Sequence, residues 1–307
     1  SGYNHKENDG QNNATFGSSQ TIKSTSNTIT SGLSNNTTTT THSGIIGENN
    51  TATTVNDTLI TGKNNTVSNN NYSFIAGINH NETGGNANTI LGENQTSTTS
   101  NNTTVNGKDN TILNENNSLL TGDTNIVKNG ENNATIGKLN TVDDSSQSII
   151  SGENNTVTTE VSSTVSGKDN TITSGIYNAI SGLLNTVTNA SQSIIGGNNN
   201  NVTNTSNSIL SGDSNTYMES YEVINVGSSN NIHTVTDTAV FGINHDISNN
   251  TANSLISGKL NKENNGTNNI TFGEDNLTIQ SKNDIMGGNK NNSNDSSNNA
   301  IFGNNNQ

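Results

Sequence analysis

The sequence predicts an all-β fold, a parallel solenoid of about 20 fifteen-residue coils. A glycine recurs every fifteen residues from Gly17 to Gly242, and after one sixteen-residue step the spacing continues from Gly258 to Gly303. The 307 residues include no proline, and no segment shows the 3.6-residue apolar period of a helix. A unit this short, copied this often, is typical of a solenoid in which each coil contacts only its neighbours.

Each coil is predicted to hold two short strands, described by position relative to the repeating glycine at position zero. Positions −4 to −1 form the first strand, as in Ser148 to Ser151 before Gly152. The second strand follows position +3, as in the Asn-Thr-Val-Thr stretch at 155–158. Position +3 is Asn in sixteen of twenty coils. Because Asn tolerates left-handed backbone and bonds its own main chain in turns, we expect a corner there.

Alternation along the first strand decides which residues face inward. Side chains at −3 and −1 share one side of the strand. Their sizes compensate, since Ala14 accompanies Phe16 and Leu59 accompanies Thr61. Because a narrow packed interior requires such an exchange of volume, we expect −3 and −1 to face the core. Apolar residues at +5, such as Val67, close it.

Position −2 lies on the opposite side of the first strand and is apolar in fifteen coils. With the predicted facing it forms an exposed stripe on the order of 95 Å long, if the coils stack at about 4.8 Å. A soluble monomer rarely exposes such a stripe, so the sequence predicts a homo-oligomer. The residues expected at its interface are Ile45, Ile60, Ile75, Ile90, Leu120, Ile150, Ile180, Ile195, Leu210, Ile256 and Ile301.

Composition argues against several function classes. The net charge is −14 and no arginine occurs, so we expect no nucleic-acid binding and no direct membrane contact by this segment. There is no cysteine, and neither a metal-binding motif nor a cofactor motif is present. The five histidines have no neighbouring acid and nucleophile to form a catalytic cluster. We therefore expect a chain that is not an enzyme and has no metal or cofactor.

The strand that ends at each glycine resembles the head repeat of trimeric autotransporter adhesins, the YadA-like family of Gram-negative bacteria. The matching pieces include residues 133–137, Asn-Ala-Thr-Ile-Gly, and residues 299–303, Asn-Ala-Ile-Phe-Gly. The resemblance covers residues from about 12 to the end of the chain. It departs from the family in a repeat one residue longer and in the Asn-Thr-Val-Thr second strand. The family's neck, stalk and anchor are not among these 307 residues.

This resemblance implies a left-handed parallel β-roll in each subunit and assembly as a homotrimer. It implies one head domain over residues 1–307, with repeats from about 12 to 307 and residues 1–11 as an N-terminal cap or leader. The implied function is a surface adhesin that binds a host cell-surface receptor or matrix protein through its outer face. The implied location is the bacterial cell surface, anchored in the outer membrane by a C-terminal region absent from this chain. The chain is also similar to adhesins of oral anaerobes that bind carcinoembryonic-antigen-related cell adhesion molecules.

Adhesion requires interruptions in the polar surface, because binding hot spots favour aromatic anchors. The candidate partner-binding residues are Val161, Ile176, Tyr177, Tyr72, Tyr217 and Tyr221. The competing interpretation is that Val161, Ile176 and Tyr217 help to cap the interior of the roll. Both interpretations stay open at this point.

Two other functions remain as alternatives. A stiff roll could be a passive spacer that projects another adhesive module. Ice binding is the other, because Thr-x-Thr pairs recur at 51/53, 96/98, 156/158, 171/173 and 186/188 and could order water on a flat sheet. The pattern is interrupted by Ile126 with Lys128, by Asp143 and by Met218. The ordinary explanation is that threonine fills exposed strands well.

Overall fold

The computed structural model describes residues 2–306, and all of their regular structure is β-strand. The chain forms two compact units, Ser1–Asn154 and Asn155–Gln307. Each is a parallel β-solenoid, and together they comprise about 20 turns, which confirms the predicted architecture. The described residues include no helix that is long and apolar enough to cross a membrane.

In unit 1 the first strand of a coil covers positions −3 to +1 and the second strand begins at +4. The first strands are Gly2–Tyr3, Ala14–Ser18, Ile29–Leu33, Gly44–Glu48, Leu59–Lys63, Phe74–Ile78, Thr89–Glu93, Thr104–Lys108, Leu119–Asp123, Ala134–Lys138 and Ile149–Glu153. The second strands are Lys6–Asn8, Thr21–Lys23, Asn36–Thr41, Thr51–Asn56, Thr66–Asn71, Asn81–Thr83, Thr96–Thr98, Thr111–Leu113, Ile126–Lys128 and Thr141–Asp143. Coil geometry therefore begins within residues 2–11, the segment predicted as a cap or leader.

Unit 2 repeats the same pattern. Its first strands are Thr164–Lys168, Ala179–Leu183, Ile194–Asn198, Ile209–Asp213, Ile224–Ser228, Ala239–Ile243, Leu255–Lys259, Ile270–Glu274, Ile285–Asn289 and Ala300–Asn304. Its second strands are Thr156–Val161, Thr171–Ile176, Thr186–Ser191, Asn201–Thr203, Thr216–Met218, Asn231–His233, Asp246–Ser248, Lys262–Asn264, Leu277–Ile279 and Asn292–Asn294. Two short strands, Val235–Thr236 and Thr251–Ala252, pair with each other. Asn249 and Asn250, both with positive φ, take up the extra residue of the sixteen-residue coil.

Strands stack in parallel with a register of one repeat. Ile60 is opposite Ile45 in the preceding coil and opposite Ile75 in the next one. Columns of equivalent residues therefore run along each unit. The same side-chain type is presented again at each strand spacing of about 4.8 Å.

The predicted facing of the first strand is wrong, and the structure reverses it. Ile150, at −2, is 0% exposed, whereas its neighbour Ile149, at −3, is 51% exposed. Position −2 packs inside the coil with the apolar column at +5, which includes Val67 and Ile172 and is also buried. Alternation along the strand correctly predicts that −2 lies on the side opposite −3 and −1. Both sides of this strand are apolar, however, so the pattern alone does not show which side faces the core.

The residues expected at a subunit interface therefore form the core of each unit. Those buried inside a unit are Ile45, Ile60, Ile75, Ile90, Leu120, Ile150, Ile180, Ile195, Leu210 and Ile256. Ile301, in the last described strand, is half-buried. These side chains are covered by neighbouring coils and do not need a second subunit to hide them. The polar exceptions in this column also face inward: Asn225 donates to Tyr217 and accepts from Asn230.

The Asn column at +3 is a buried hydrogen-bond ladder, and the left-handed corner is the residue before it. Asn64 has a φ of 56°, while Asn65 is buried. The Asn65 amide donates to the Asn50 side chain at 3.0 Å and to the Gly77 carbonyl at 3.1 Å. Its oxygen accepts the backbone N–H of His80 at 3.0 Å. Each such Asn thus fastens one coil to the coils before and after it.

The repeating glycine is required near the end of the first strand, two residues before the corner, where neighbouring coils approach closely. Gly122 has a φ of 125°, and a Cβ there would lie 1.8 Å from the carbonyl oxygen of Gly137 in the next coil. At +1, two ion pairs join neighbouring coils. Lys63 lies 3.2 Å from Glu48 and Lys259 lies 3.4 Å from Glu274.

Candidate functional site

The most regular exposed surface is the outward side of the second strand, at positions +4 and +6. We call its regular part the threonine face. In unit 1 it consists of Asn36 with Thr38, Thr51 with Thr53, Thr66 with Ser68, Asn81 with Thr83, and Thr96 with Thr98. In unit 2 it consists of Thr156 with Thr158, Thr171 with Thr173, Thr186 with Thr188, and Asn201 with Thr203.

Register places these side chains on a grid. Thr66 is directly opposite Thr51, and Ser68 is opposite Thr53. In unit 2, Thr171 is opposite both Thr156 and Thr186. Hydroxyls therefore recur about every 4.8 Å along the stack and about every 6.6 Å along a strand. The Ser68 and Thr83 hydroxyls of neighbouring coils lie 3.3 Å apart.

The backbone beneath the grid is fixed from inside the coil. Residues at +5, between the two exposed positions, are fully buried, as Val67 and Ile172 are. The Asn ladder at +3 holds the start of each second strand, with Asn185 donating to Asn170 at 3.0 Å. Parallel strand pairing and this ladder hold the sheet in one register, so the exposed hydroxyls are ordered before anything binds them.

The threonine face has the chemistry of a surface that orders water. It offers one methyl and one hydroxyl group at most positions, and none of its members is charged. It contains no acid, base or nucleophile arranged for catalysis. Within residues 2–306 no group of three His, Asp or Glu side chains could hold a metal ion.

Interruptions bound the threonine face in both units. In unit 1, Leu113 follows Thr98 in the +6 column. Lys128 and Asp143 come next in that column and form an ion pair at 2.9 Å. The hydrogen bond from Lys128 lowers the pKa of Asp143. In unit 2, Met218 follows Thr203 in the +6 column. These substitutions replace small hydroxyls with long side chains and end the regular grid.

The structure separates the six candidate partner-binding residues. Tyr217 is 1% exposed in the core, so its assignment to a binding surface is wrong; its ring takes the apolar +5 position. Val161 and Ile176 are opposite each other on neighbouring coils, and Tyr177 follows directly. Tyr177 and Tyr221 are exposed in unit 2, and Tyr72 is exposed in unit 1. Only Val161, Ile176 and Tyr177 are brought together.

The sequence analysis missed a set of buried glutamates. Glu82, Glu115, Glu160 and Glu263 lie in the core, and burial raises the pKa of each, that of Glu82 to about 7. The Glu82 carboxylate accepts from the Asn70 and Asn88 amides, both at 2.6 Å. It fills the space beside Gly85, where a Cβ would lie 2.5 Å from its oxygen.

A sequence signal for these glutamates exists. Every glycine at +8 is followed three residues later by Asn and lies beside a Glu of the same or the preceding coil. The five glycines are Gly10, Gly85, Gly130, Gly175 and Gly266, and their carboxylates belong to Glu7, Glu82, Glu115, Glu160 and Glu263. The acid supplies the volume that the glycine lacks. Glu7 is exposed, whereas the other four glutamates act in the core and not on a binding surface.

Comparison with known proteins gives one similarity. Residues 90–194, about a third of the chain, match the family model described as the grass antifreeze beta roll. No curated protein matches the chain. The matched residues include threonine-face coils of both units, among them Thr96 with Thr98 and Thr171 with Thr173. The similarity does not bear on the trimeric autotransporter heads, and that resemblance stays a prediction.

Proposed function

We propose that this chain binds ice through its threonine face. The observation that carries the proposal is the run of Thr-x-Thr strands in strict register on a sheet held rigid from within. The match of residues 90–194 to an antifreeze β-roll supports it. Of the functions considered from the sequence, ice binding is therefore preferred over adhesion and over a passive spacer.

The physical basis is a match between two lattices. Both spacings of the hydroxyl grid are of the size of the oxygen repeats in hexagonal ice. Each hydroxyl can donate and accept, and each methyl group excludes disordered water. A single contact is weak, but the contacts of many coils add when all of them are in register. Adsorption to ice then follows from regularity and not from a pocket.

The outward side of the first strand is a weaker candidate for ice. There the large side chain alternates between −3 and −1, as with Phe74 in one coil and Ile136 in another, so the surface is uneven. Few of its residues carry a hydroxyl in consecutive coils. A crystal surface requires a flat partner, and the threonine face is the flatter of the two.

The test is thermal hysteresis of the purified chain with one lysine placed in each unit's threonine face. Thr66→Lys with Thr171→Lys should lower the hysteresis several-fold, because a long charged side chain lifts the grid off the ice. The fold tolerates lysine at +4, since Lys262 occupies that position in another coil. Asn231→Lys, at +4 outside the threonine face, is the matched control and should leave hysteresis unchanged.

Two results would contradict the proposal. A wild-type chain without thermal hysteresis or ice shaping would remove ice binding altogether. Equal loss in the Asn231→Lys control would show that charge, and not its position, matters. Loss only when lysine is placed on the first strand, as in Ile209→Lys, would move the ice-binding surface to that strand.

A second candidate is the predicted adhesion to a host surface protein. The observation that favours it is the cluster of exposed Ile176 and Tyr177 with half-buried Val161, which combines an aromatic anchor with apolar neighbours. Binding of the isolated chain to host cells, lowered by Tyr177→Ala or Tyr221→Ala, would support adhesion. Unchanged binding in both variants would remove these residues from the proposal.

A further inference from the structure

The outward side of the first strand, at positions −3 and −1, is the largest exposed apolar surface of each unit; we call it the apolar face. In unit 2 its −3 column includes Ile194, Ile209, Ile224, Leu255, Ile270 and Ile285, all exposed. Ten five-residue strands per unit, at about 4.8 Å spacing and about 3.3 Å per residue, form a sheet face with a footprint of roughly 800 Å², of which the apolar side chains cover a part. A soluble monomer rarely exposes an apolar patch above about 600 Å².

The apolar face follows a rule of exchanged volume. In most coils a large −3 accompanies a small −1, as with Ile209 and Ser211, or a small −3 accompanies a large −1, as with Ala239 and Phe241. The interior does not require this exchange, because both positions point outward. Packing within a single chain therefore does not explain the exchange of volume between −3 and −1.

We propose that a second copy of this chain covers the apolar face, related by a two-fold axis that lies between the two faces and runs along the coil stack. This rotation reverses strand direction and keeps each coil at its own level. Position −3 of one copy then meets position −1 of the other. In most coils the large side chain faces the small residue that its own coil supplies on the opposite column, so the exchange of volume becomes knob-into-gap packing. Ile224 with Val226 and Ile270 with Phe272 are large at both positions and are exceptions.

The relief of unit 2 fits this geometry. Ala239 lies between the larger Ile224 and Leu255 and floors a concavity of about 740 Å³. Under the two-fold, Phe241 of the second copy is directed at this gap. A two-fold axis along the strands would instead set the −3 columns against each other, where large residues such as Ile194 and Ile209 are consecutive.

The margins of the apolar face agree with the same axis. A strand is bordered by the residue at −5 and the residue at +1, and these positions meet across the two-fold. His42 of one copy then faces Glu48 of the other, and Asp57 faces Lys63. Among the described strands, no coil sets two like charges against each other under this rule. Complementary charge is what an interface between copies requires.

Two exposed tyrosines find apolar partners by the same rule. Tyr72 would face Ile78 of the second copy, and Tyr177 would face Leu183; all four side chains are exposed in the single chain. Tyrosine is enriched at interfaces because its ring buries a large area while its hydroxyl stays wet. The footprint of the apolar face in one unit, roughly 800 Å², is of the size of the surface that each partner buries in a stable interface.

This pairing leaves both threonine faces free. The threonine face belongs to the second strand and the apolar face to the first, so covering one does not require covering the other. The inference does not rest on ice binding, because the exchanged volumes, the margins and the area are independent of what the threonine face binds.

The first test is the mass of the full chain by sedimentation velocity at micromolar concentration. We expect the mass of two chains. Ile209→Lys, which places a charge against Ser211 of the second copy, should weaken association at least tenfold. Met218→Lys, an equally exposed apolar residue on the other strand, should leave the mass unchanged. A single-chain or three-chain mass for the wild type, or an unaffected Ile209→Lys dimer, overturns the proposal.

The second test is a charge rescue that reports the axis. Tyr177→Lys and Leu183→Asp should each weaken association, and the double variant should restore it. The two residues border opposite ends of one strand, roughly 20 Å apart along the chain, so they cannot contact within one copy. Failure of the double variant to recover, with both single variants folded, overturns the proposed axis. Thermal hysteresis measured on the same dissociated variants reports separately on the threonine face.

Discussion

The two outward surfaces of a coil use the same parallel backbone and opposite side-chain strategies. On the threonine face, small polar residues repeat in register with few changes. On the apolar face, the large residue of most coils shifts between two columns. One repeat can therefore produce both a regular surface and a surface with large and small side chains in alternating columns. Regularity suits a crystalline partner, whereas exchanged relief suits a second protein surface.

The largest expected effect is at the repeating glycine, two residues before the corner that joins the two strands. Gly122→Ala should destabilise unit 1 by at least about 3 kcal/mol, because its Cβ meets the Gly137 carbonyl and its φ is 125°. Gly84→Asn is the control: its φ is 69°, open space surrounds it, and Asn69 holds the same position one coil earlier. Urea unfolding measures both. Similar stability for the two variants would show that the corner does not depend on glycine.

The next effect tests which side of the first strand is the core. Ile150→Ala should cost about 2–5 kcal/mol, because it leaves a cavity in the apolar column. Ile149→Ala, one residue earlier and exposed, should change the unfolding free energy by less than about 0.5 kcal/mol. Both are measured by urea unfolding at a protein concentration low enough to suppress association. The reverse order would restore the facing predicted from the sequence.

The buried residues beneath the two faces also differ, and the pH dependence of stability reports this difference. Glu82 lies under the threonine face with a pKa of about 7. Between about pH 4.5 and 7 the Glu82 carboxyl is protonated in the folded chain and ionised in the unfolded chain. Its contribution to stability is therefore full below pH 4.5 and is lost as the pH rises through 7. The loss between pH 5 and 8 should approach about 3 kcal/mol.

The matched variant for this pH test is Glu82→Gln, which should flatten the pH dependence. His80 in the same coil has the opposite sign, because burial lowers its pKa and its contribution is lost as pH falls below 6.5. The difference between wild type and variant isolates Glu82. Identical pH profiles would contradict a protonated carboxyl under the threonine face.

The smallest expected effect on stability extends the threonine face across its interruption in unit 1. Lys128→Thr with Asp143→Thr removes a partly exposed ion pair and should cost less than about 1 kcal/mol. Adding Leu113→Thr and Ile126→Thr to this pair continues the hydroxyl columns beyond Thr98 and should raise thermal hysteresis. A stable variant with lower hysteresis would show that the regularity of the threonine face does not determine its binding to ice.

The repeat, the strand positions and the architecture could be predicted from the sequence, because a fifteen-residue glycine period admits few folds. The facing could not. Both sides of the first strand are apolar, and the exchange between Ala14 and Phe16 resembled core packing. The better guide was the −2 column itself, where Ile45, Ile60 and Ile75 repeat without compensation, as a uniform core requires.

The candidate site was predictable only in part. Thr-x-Thr pairs identified the threonine face, but Asn36 with Thr38 and Asn81 with Thr83 joined it only once register was known. Tyr217 looked like a surface anchor, because its neighbours lack the usual polar pattern. In the structure it fills the +5 core position, and Asn225 satisfies its hydroxyl. The burial of a tyrosine depends on such a partner, and sequence spacing did not reveal it.

The most direct measurement of the central claim is partition of the chain into a slowly growing ice hemisphere, for wild type and for Thr66→Lys with Thr171→Lys. If the threonine face binds ice, the wild type enters the ice and the double variant stays in the liquid, while Asn231→Lys behaves as wild type. Exclusion of the wild-type chain from the ice, or equal entry of the threonine-face variant, would contradict it.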